Sequence, residues 1–237
     1  MNIYLIRHGR QNSTLCNVDV ELSKEGREQA DLLGKRLAEN DYGIEAVYSS
    51  QLIRAKETAD IINSHLNKKR VIDERWQEAN FGGMTGLENS VIKEKYQDFL
   101  FKRVLMEEDL PYPDGGENCE MVFNRVMEAL KDLTKEPYEN VCVVTHGGVL
   151  RALLTGIMGA DYCKWLTYGR QIENSSITHI MYDEKMKTFH IERFNDFAHL
   201  EGKDYLMRKH FGTGFFRMQK DLLNIQGIIL HREIIIT

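Results

Sequence analysis

No stretch of this 237-residue chain holds ~20 consecutive apolar residues, so a membrane-spanning helix is not expected. An excess of positive charge is missing too. With 31 Lys and Arg against 36 Asp and Glu, the formal net charge is −5. That argues against nucleic acid as a partner, which calls for a basic face. The four cysteines, Cys16, Cys119, Cys142 and Cys163, include no close pair and no metal-type spacing. They read as reduced, mostly buried thiols of a cytoplasmic protein, not as a disulfide framework or a zinc site. Met1-Asn2-Ile3-Tyr4 lacks the basic and apolar regions of a secretory signal, in keeping with a cytoplasmic location. Internal repeats and low-complexity tracts are absent. What is present, 42% hydrophobic and 28% charged residues, suits one globular domain with insertions.

The hydrophobic pattern alternates between short apolar runs and amphipathic stretches. Strands are expected at residues 3–6, 46–48, 71–72 and 141–144, the last a continuous apolar run typical of burial on both faces. Between them, Ser23 caps a helix to about Asn40 with Ala30, Leu33 and Leu37 on one face. A second helix places Ala55, Ala59, Ile62 and Leu66 on one stripe. Further helices are expected over 87–108 (irregular and highly charged), 117–133 and 149–158, with a loop at 76–86 and a break at 111–116. Runs at 177–182 and 188–194 read as a hairpin. This predicts an α/β three-layer sandwich, a largely parallel central sheet with helices on both faces. Residues 1–200 form the domain, with 84–116 an inserted lid or substrate segment. Residues 201–237 are a C-terminal extension of unassigned role. Within it, 206–223 suggests a broken helix and 225–236 a strand whose apolar character suggests a homodimer.

Four places carry chemistry. Arg7-His8-Gly9 follows the first strand, and Arg54 opens the second helix. Glu78 stands three residues before Phe81-Gly82-Gly83. His146-Gly147 follows the buried strand. Three of the four lie just past a strand end, where ligands bind in open α/β sheets. The remaining histidines, His65, His179, His190, His199, His210 and His231, read as structural or surface residues.

These segments make the chain resemble the histidine phosphatase superfamily, the phosphoglycerate-mutase-like fold. The matching pieces are R-H-G at 7–9, S-x-L-x-R-A-x-x-T-A at 50–59 and E-x-x-F-G-x-x-x-G-L at 78–87. T-H-G-G-V-L-R at 145–151 and the Asn174-Ser175-Ser176-Ile177 strand entry also match, all in order between residues 3 and about 200. The resemblance implies that His8 is the nucleophile and Glu78 the proton donor, with Arg7, Arg54 and His146 completing a phosphate pocket. Two positions depart from the pattern. Arg10 stands where an acidic residue is common, and Thr14 where an asparagine is; asparagines occur instead at Asn12 and Asn17. Arg10 would add positive charge beside the site, pointing to a substrate with additional anionic groups.

The chemistry is consistent with that resemblance. Phosphoryl transfer asks the protein mainly to position groups and neutralise the non-bridging oxygens. Arg7 and Arg54 offer forked donors, His146 a third cation when protonated, and the backbone N–H groups after Gly147 a helix start suited to an anion. His8 needs one ring nitrogen unprotonated, which neighbouring cations favour, and a hydrogen bond from the other to the Gly9 carbonyl would fix the tautomer. Glu78 would have a raised proton affinity near a bound phosphate. The arginines supply the charge, so neither a metal nor a cofactor is expected. Residues 79–145 hold 67 positions and lack the paired arginines and proline run of a mutase lid, although Lys102-Arg103 are present. The expectation is therefore a metal-independent phosphatase acting on a small phosphorylated metabolite. Cofactor-dependent mutase phosphotransfer is the alternative, and a non-catalytic phosphate-binding module the third.

Overall fold

The computed structural model describes residues 1–40, 42–169 and 171–208. Six strands form one sheet: β1 (Asn2–Arg7), β2 (Ala46–Ser49), β3 (Lys69–Ile72), β4 (Asn140–Thr145), β5 (Ile177–Asp183) and β6 (Thr188–Asp196). Their order is β3-β2-β4-β1-β5-β6. β3, β2, β4 and β1 run parallel, whereas β5 lies antiparallel on β1 and β6 antiparallel on β5. The expected hairpin is thus the antiparallel flank of an otherwise parallel sheet.

Side-chain alternation in the central strands sends successive residues to opposite layers. Ile3, Leu5, Tyr48, Val141 and Val143 pack with α5 (Cys119–Leu133) and α6 (Gly147–Ile157). Ile6, Val47, Cys142 and Val144 pack instead with α1 (Lys24–Glu39) and α2 (Ile53–Leu66). Both faces of β4 are therefore covered, which is why its sequence is continuously apolar. Each fully buried Leu, Ile or Val here contributes roughly 1.5–3 kcal/mol through water exclusion. Cys119, Cys142 and Cys163 are buried and Cys16 half-buried, all with free thiols.

Local signals account for the helix ends. The Ser23 hydroxyl accepts from the Gly26 N–H at 3.1 Å, and Asn118 caps α5 through the Met121 N–H at 2.9 Å. The irregular charged stretch is two helices, α3 (Asn89–Lys95) and α4 (Gln97–Leu105), which meet at Tyr96. A one-turn 3-10 segment at Glu74–Trp76 leads into the expected 76–86 loop, which contains another at Gly82–Met84. α6 starts at Gly147, two residues earlier than its apolar pattern suggests, because glycines contribute nothing to that pattern.

β4 lies between β1 and β2, and the helices that follow β1 and β4 go to opposite layers. That opens a crevice at the carboxyl ends of β1 and β4. Residues 201–208 fold back onto α1. Leu206 is fully buried, and its carbonyl accepts from Gln29 Nε2 at 2.7 Å and Arg10 Nη2 at 2.6 Å. The strand expected over 225–236, with its suggested homodimer, lies outside the described residues, as does most of the 206–223 helix. His210 and His231 lie there too.

Candidate active site

β1 and β4 are in register at Arg7 and Thr145, and the His8 N–H donates to the Thr145 carbonyl at 2.9 Å. The next residue of each strand exit is a histidine. The His8 and His146 rings consequently stand with centroids 5.0 Å apart, although 138 positions separate them in sequence. A second clamp comes from the approach to β5. The Ser175 N–H donates to the Arg7 carbonyl at 2.9 Å, and Asn174 Nδ2 to the His8 carbonyl at 2.8 Å.

His8 is buried, and its Nδ1 lies 2.7 Å from the Gly9 carbonyl. A carbonyl only accepts, so Nδ1 carries the proton and Nε2 the lone pair. Arg54 Nε donates to that Nε2 at 3.3 Å. Gly9 makes this possible by close approach: a Cβ there would lie 2.5 Å from the Gly26 carbonyl oxygen. Burial, then Arg54 and Arg7, hold His8 well below the usual histidine pKa.

Arg54, near the start of α2, is 2% exposed and uses its remaining nitrogens on the Val18 carbonyl and Asn17 Oδ1, both at 2.9 Å. Asn17 adopts a left-handed backbone (φ 47°) and donates onward to the Ala79 carbonyl at 3.1 Å. The asparagine at 17 therefore ties Arg54 to the Glu78 segment. Arg7 Nη1 donates to the Ile172 carbonyl, while its Nε has no hydrogen-bond partner among the described residues. Burial, then Arg151, bring Arg7 down to about 10.

His146 is fully buried at the N-terminus of α6, with Nε2 2.9 Å from Ser50 Oγ. Its Nδ1 is buried without a partner among the described residues. Ser50 Oγ already accepts from the Leu52 N–H at 3.2 Å, so its own proton is available to His146. Burial, then Arg54 and His8, hold His146 well below the usual value, so both imidazoles are neutral near pH 7.

Glu78 turns toward the same crevice. Its Oε2 accepts from the Gly148 N–H at 3.2 Å and its Oε1 from the Ala79 N–H at 3.0 Å. Gly148 leaves room for the carboxylate, since a Cβ at that position would sit 2.4 Å from Glu78 Oε1. Thus the structure brings together His8, His146, Arg7, Arg54, Glu78 and Gly147, the six residues singled out from the sequence. The α6 N-terminus, expected to face the anion, has its Gly148 N–H engaged by Glu78.

Arg10 is engaged by the chain itself: its guanidinium donates to the Leu206 and Tyr205 carbonyls and so fastens residues 201–208. Asn17, Ser50, Asn174 and Arg151 were present in the segments but given no role. Ser50, Asn174 and Arg151 stand inside the matching motifs, and that is the available signal. No group of His, Cys, Asp or Glu able to hold a metal ion occurs among the described residues, and no helix among them is long and apolar enough to cross a membrane.

A mostly parallel α/β sheet with two histidines and buried arginines gathered at one strand rim is an arrangement suited to holding a phosphate group. The chain belongs to the histidine phosphatase superfamily, branch 1, whose sequence profile matches residues 3–196. A metal-independent phosphoserine phosphatase of Arabidopsis thaliana is 31% identical over 87% of this chain and 86% of its own length. Phosphoglycerate mutase-like protein 4 of the same plant is 38% identical over 64% of this chain and 68% of that protein. Among solved structures, YhfR of Bacillus stearothermophilus superposes with a TM-score of 0.75 at 29% identity, covering 84% of this chain and 99% of that one.

Proposed function

We propose that this protein is a metal-independent phosphatase that hydrolyses small phosphomonoesters through a phosphohistidine on His8. The observation that carries the reading is the wiring of His8: Nδ1 donates to the Gly9 carbonyl, which leaves Nε2 unprotonated and accepting from Arg54, with the His146 ring 5.0 Å away between centroids. Such a nitrogen is an unprotonated nucleophile at neutral pH. Attack forms a P–N bond as the P–O bond to the alcohol breaks, and Glu78 gives its proton to the leaving oxygen. Water then attacks phosphorus, the P–N bond breaks, and the same carboxylate takes the water's proton.

Arg54 and Arg7 offer forked donors to the non-bridging oxygens. With the Ser50 hydroxyl donating to Nε2, His146 presents an N–H from Nδ1 and can become cationic against a dianion. Relatives named for phosphoserine hydrolysis support a phosphorylated small molecule as substrate. The mutase-like relatives support a second reading, transfer to another hydroxyl from a bisphosphorylated primer. That would appear as isomerisation outpacing phosphate release.

The test is hydrolysis of an aryl phosphate in excess chelator. The proposal expects turnover that survives the chelator and disappears in His8→Ala. Turnover indifferent to that substitution would return the protein to a non-catalytic phosphate binder with a contaminating activity.

A further inference from the structure

Residues 77–81, which include Glu78, lie between two 3-10 turns and belong to no helix or strand. Their backbone groups must therefore find partners elsewhere in the chain. The Trp76 carbonyl, just before them, accepts from Thr145 Oγ1 at 2.8 Å, and the Ala79 carbonyl from Asn17. Other groups of this stretch lead to one ion pair. Arg125 Nη1 donates to the carbonyls of Arg75 at 2.6 Å and Gln77 at 3.1 Å. Its Nε and Nη2 donate side by side to the two oxygens of Glu117, at 3.0 and 2.9 Å. Glu117 takes the far side of the segment. Its Oε2 accepts from the Asn80 N–H at 2.8 Å, and its own N–H donates to the Asn80 carbonyl at 2.9 Å. Glu78 is thus bracketed, with Gln77 held by Arg125 and Asn80 by Glu117.

The bracket is anchored to a rigid element. Arg125 lies on α5, eight residues after Glu117. Helical side chains lean toward the N-terminus, which lets the guanidinium reach back to Glu117. The start of α5 is pinned by Asp109, whose two oxygens accept from the Cys119 and Glu120 N–H groups, each at 2.9 Å. Both members of the pair are mostly buried, with side chains 18% and 16% exposed. A forked pair fixes the plane of the guanidinium, and that aims the remaining nitrogen at the two carbonyls. A lysine, with one nitrogen, could not serve Glu117 and both carbonyls together.

The Glu78 carboxylate itself accepts from main-chain N–H groups, those of Ala79 and Gly148. Its place therefore follows the backbone of its own segment. Proton transfer needs hydrogen-bond reach, and a misplacement of about 1 Å can cost roughly 100-fold. Resting on the phosphatase reading, we infer that the Glu117–Arg125 pair is the positioning clamp of the proton donor, setting the Glu78 carboxyl within reach of the leaving oxygen. Both residues act through Glu78 and not on the substrate.

The test compares kcat/KM for glycerol 3-phosphate and p-nitrophenyl phosphate in the full-length enzyme. The first has a poor leaving group that needs the acid, and the second a good one that needs it little. Glu78→Gln sets the scale: the alkyl ester should lose about 100-fold or more and the aryl ester no more than about threefold. Arg125→Gln should reproduce that selectivity, at about 30-fold against about threefold, and Arg125→Lys should recover little of it. Glu117→Gln keeps one acceptor oxygen and should move the alkyl-to-aryl ratio about fivefold in the same direction. That milder variant gives the readout even where Arg125→Gln does not fold. A purely structural role would lower both esters by the same factor, and an unchanged ratio in either variant overturns the inference. Full recovery of the ratio in Arg125→Lys would overturn it as well, because charge alone would then suffice. An unchanged ratio in Glu78→Gln would remove the donor role and the clamp together. Turnover that disappears in His8→Ala would still leave the phosphatase reading standing.

Discussion

The two strand exits that carry His8 and His146 are equivalent in sequence pattern and position, yet they are wired differently. The His8 ring is fixed by main chain, through the Gly9 carbonyl, which admits one tautomer. The His146 ring is fixed by a hydroxyl, Ser50 Oγ, which can donate or accept. A carbonyl locks a nucleophile with its lone pair outward. A rotatable hydroxyl suits an imidazole that, in the proposed reaction, serves a dianion as donor or cation. In the proposed reaction this difference gives bond formation to His8 and charge handling to His146.

Replacing each histidine in turn is the sharpest way to break that comparison. His8→Ala should lower kcat by at least about 10⁴-fold, the scale of a lost nucleophile, while His146→Ala should cost about 10²–10³-fold, the scale of a lost donor. Steady-state kinetics on one alkyl phosphate decides it, and equal losses would erase the proposed division of labour.

A smaller effect is expected at the acid's seat. Gly148→Ala would push Glu78 from its place, because the new Cβ meets Oε1 at 2.4 Å. Turnover of alkyl phosphates should fall about 100-fold, whereas p-nitrophenyl phosphate, whose leaving group needs little protonation, should fall far less. A uniform loss across leaving groups would remove Glu78 from the role of proton donor.

The smallest effect concerns pH. Both imidazoles are held neutral in the fold, so below the usual histidine pKa of 6.5 the unfolded chain binds protons that the folded one does not. Stability should therefore be fully present above pH 6.5 and decline on acidification, with a slope approaching about 1.4 kcal/mol per pH unit for each histidine. Urea unfolding at several pH values should show a shallower slope in His146→Gln. A stability that rises as the pH falls from 6.5 would contradict the neutral pair.

The strand rim was legible in the sequence because its signals are local. An apolar run ending in His-Gly marks a strand exit, and Ser23 caps its helix within one turn. Three features were hidden because they depend on distant partners. The 177–182 run looks the same whether it pairs parallel or antiparallel with β1. Arg10, beside His8 in sequence, is drawn away by carbonyls 195 and 196 positions downstream. Arg103 acquires its setting only when Tyr112 and Trp165 close around it. Asn17 was visible as an asparagine near an expected position, but its bond to Arg54 needs a left-handed turn that composition does not reveal.

The most direct measurement is rapid acid-free quenching of the enzyme during turnover of a radiolabelled phosphomonoester, followed by peptide mapping. The account predicts an acid-labile, base-stable phosphoryl label on the peptide carrying His8, absent in His8→Ala. Label on the peptide carrying His146, an acid-stable label on a serine, or steady turnover with no labelled protein at any time would contradict it.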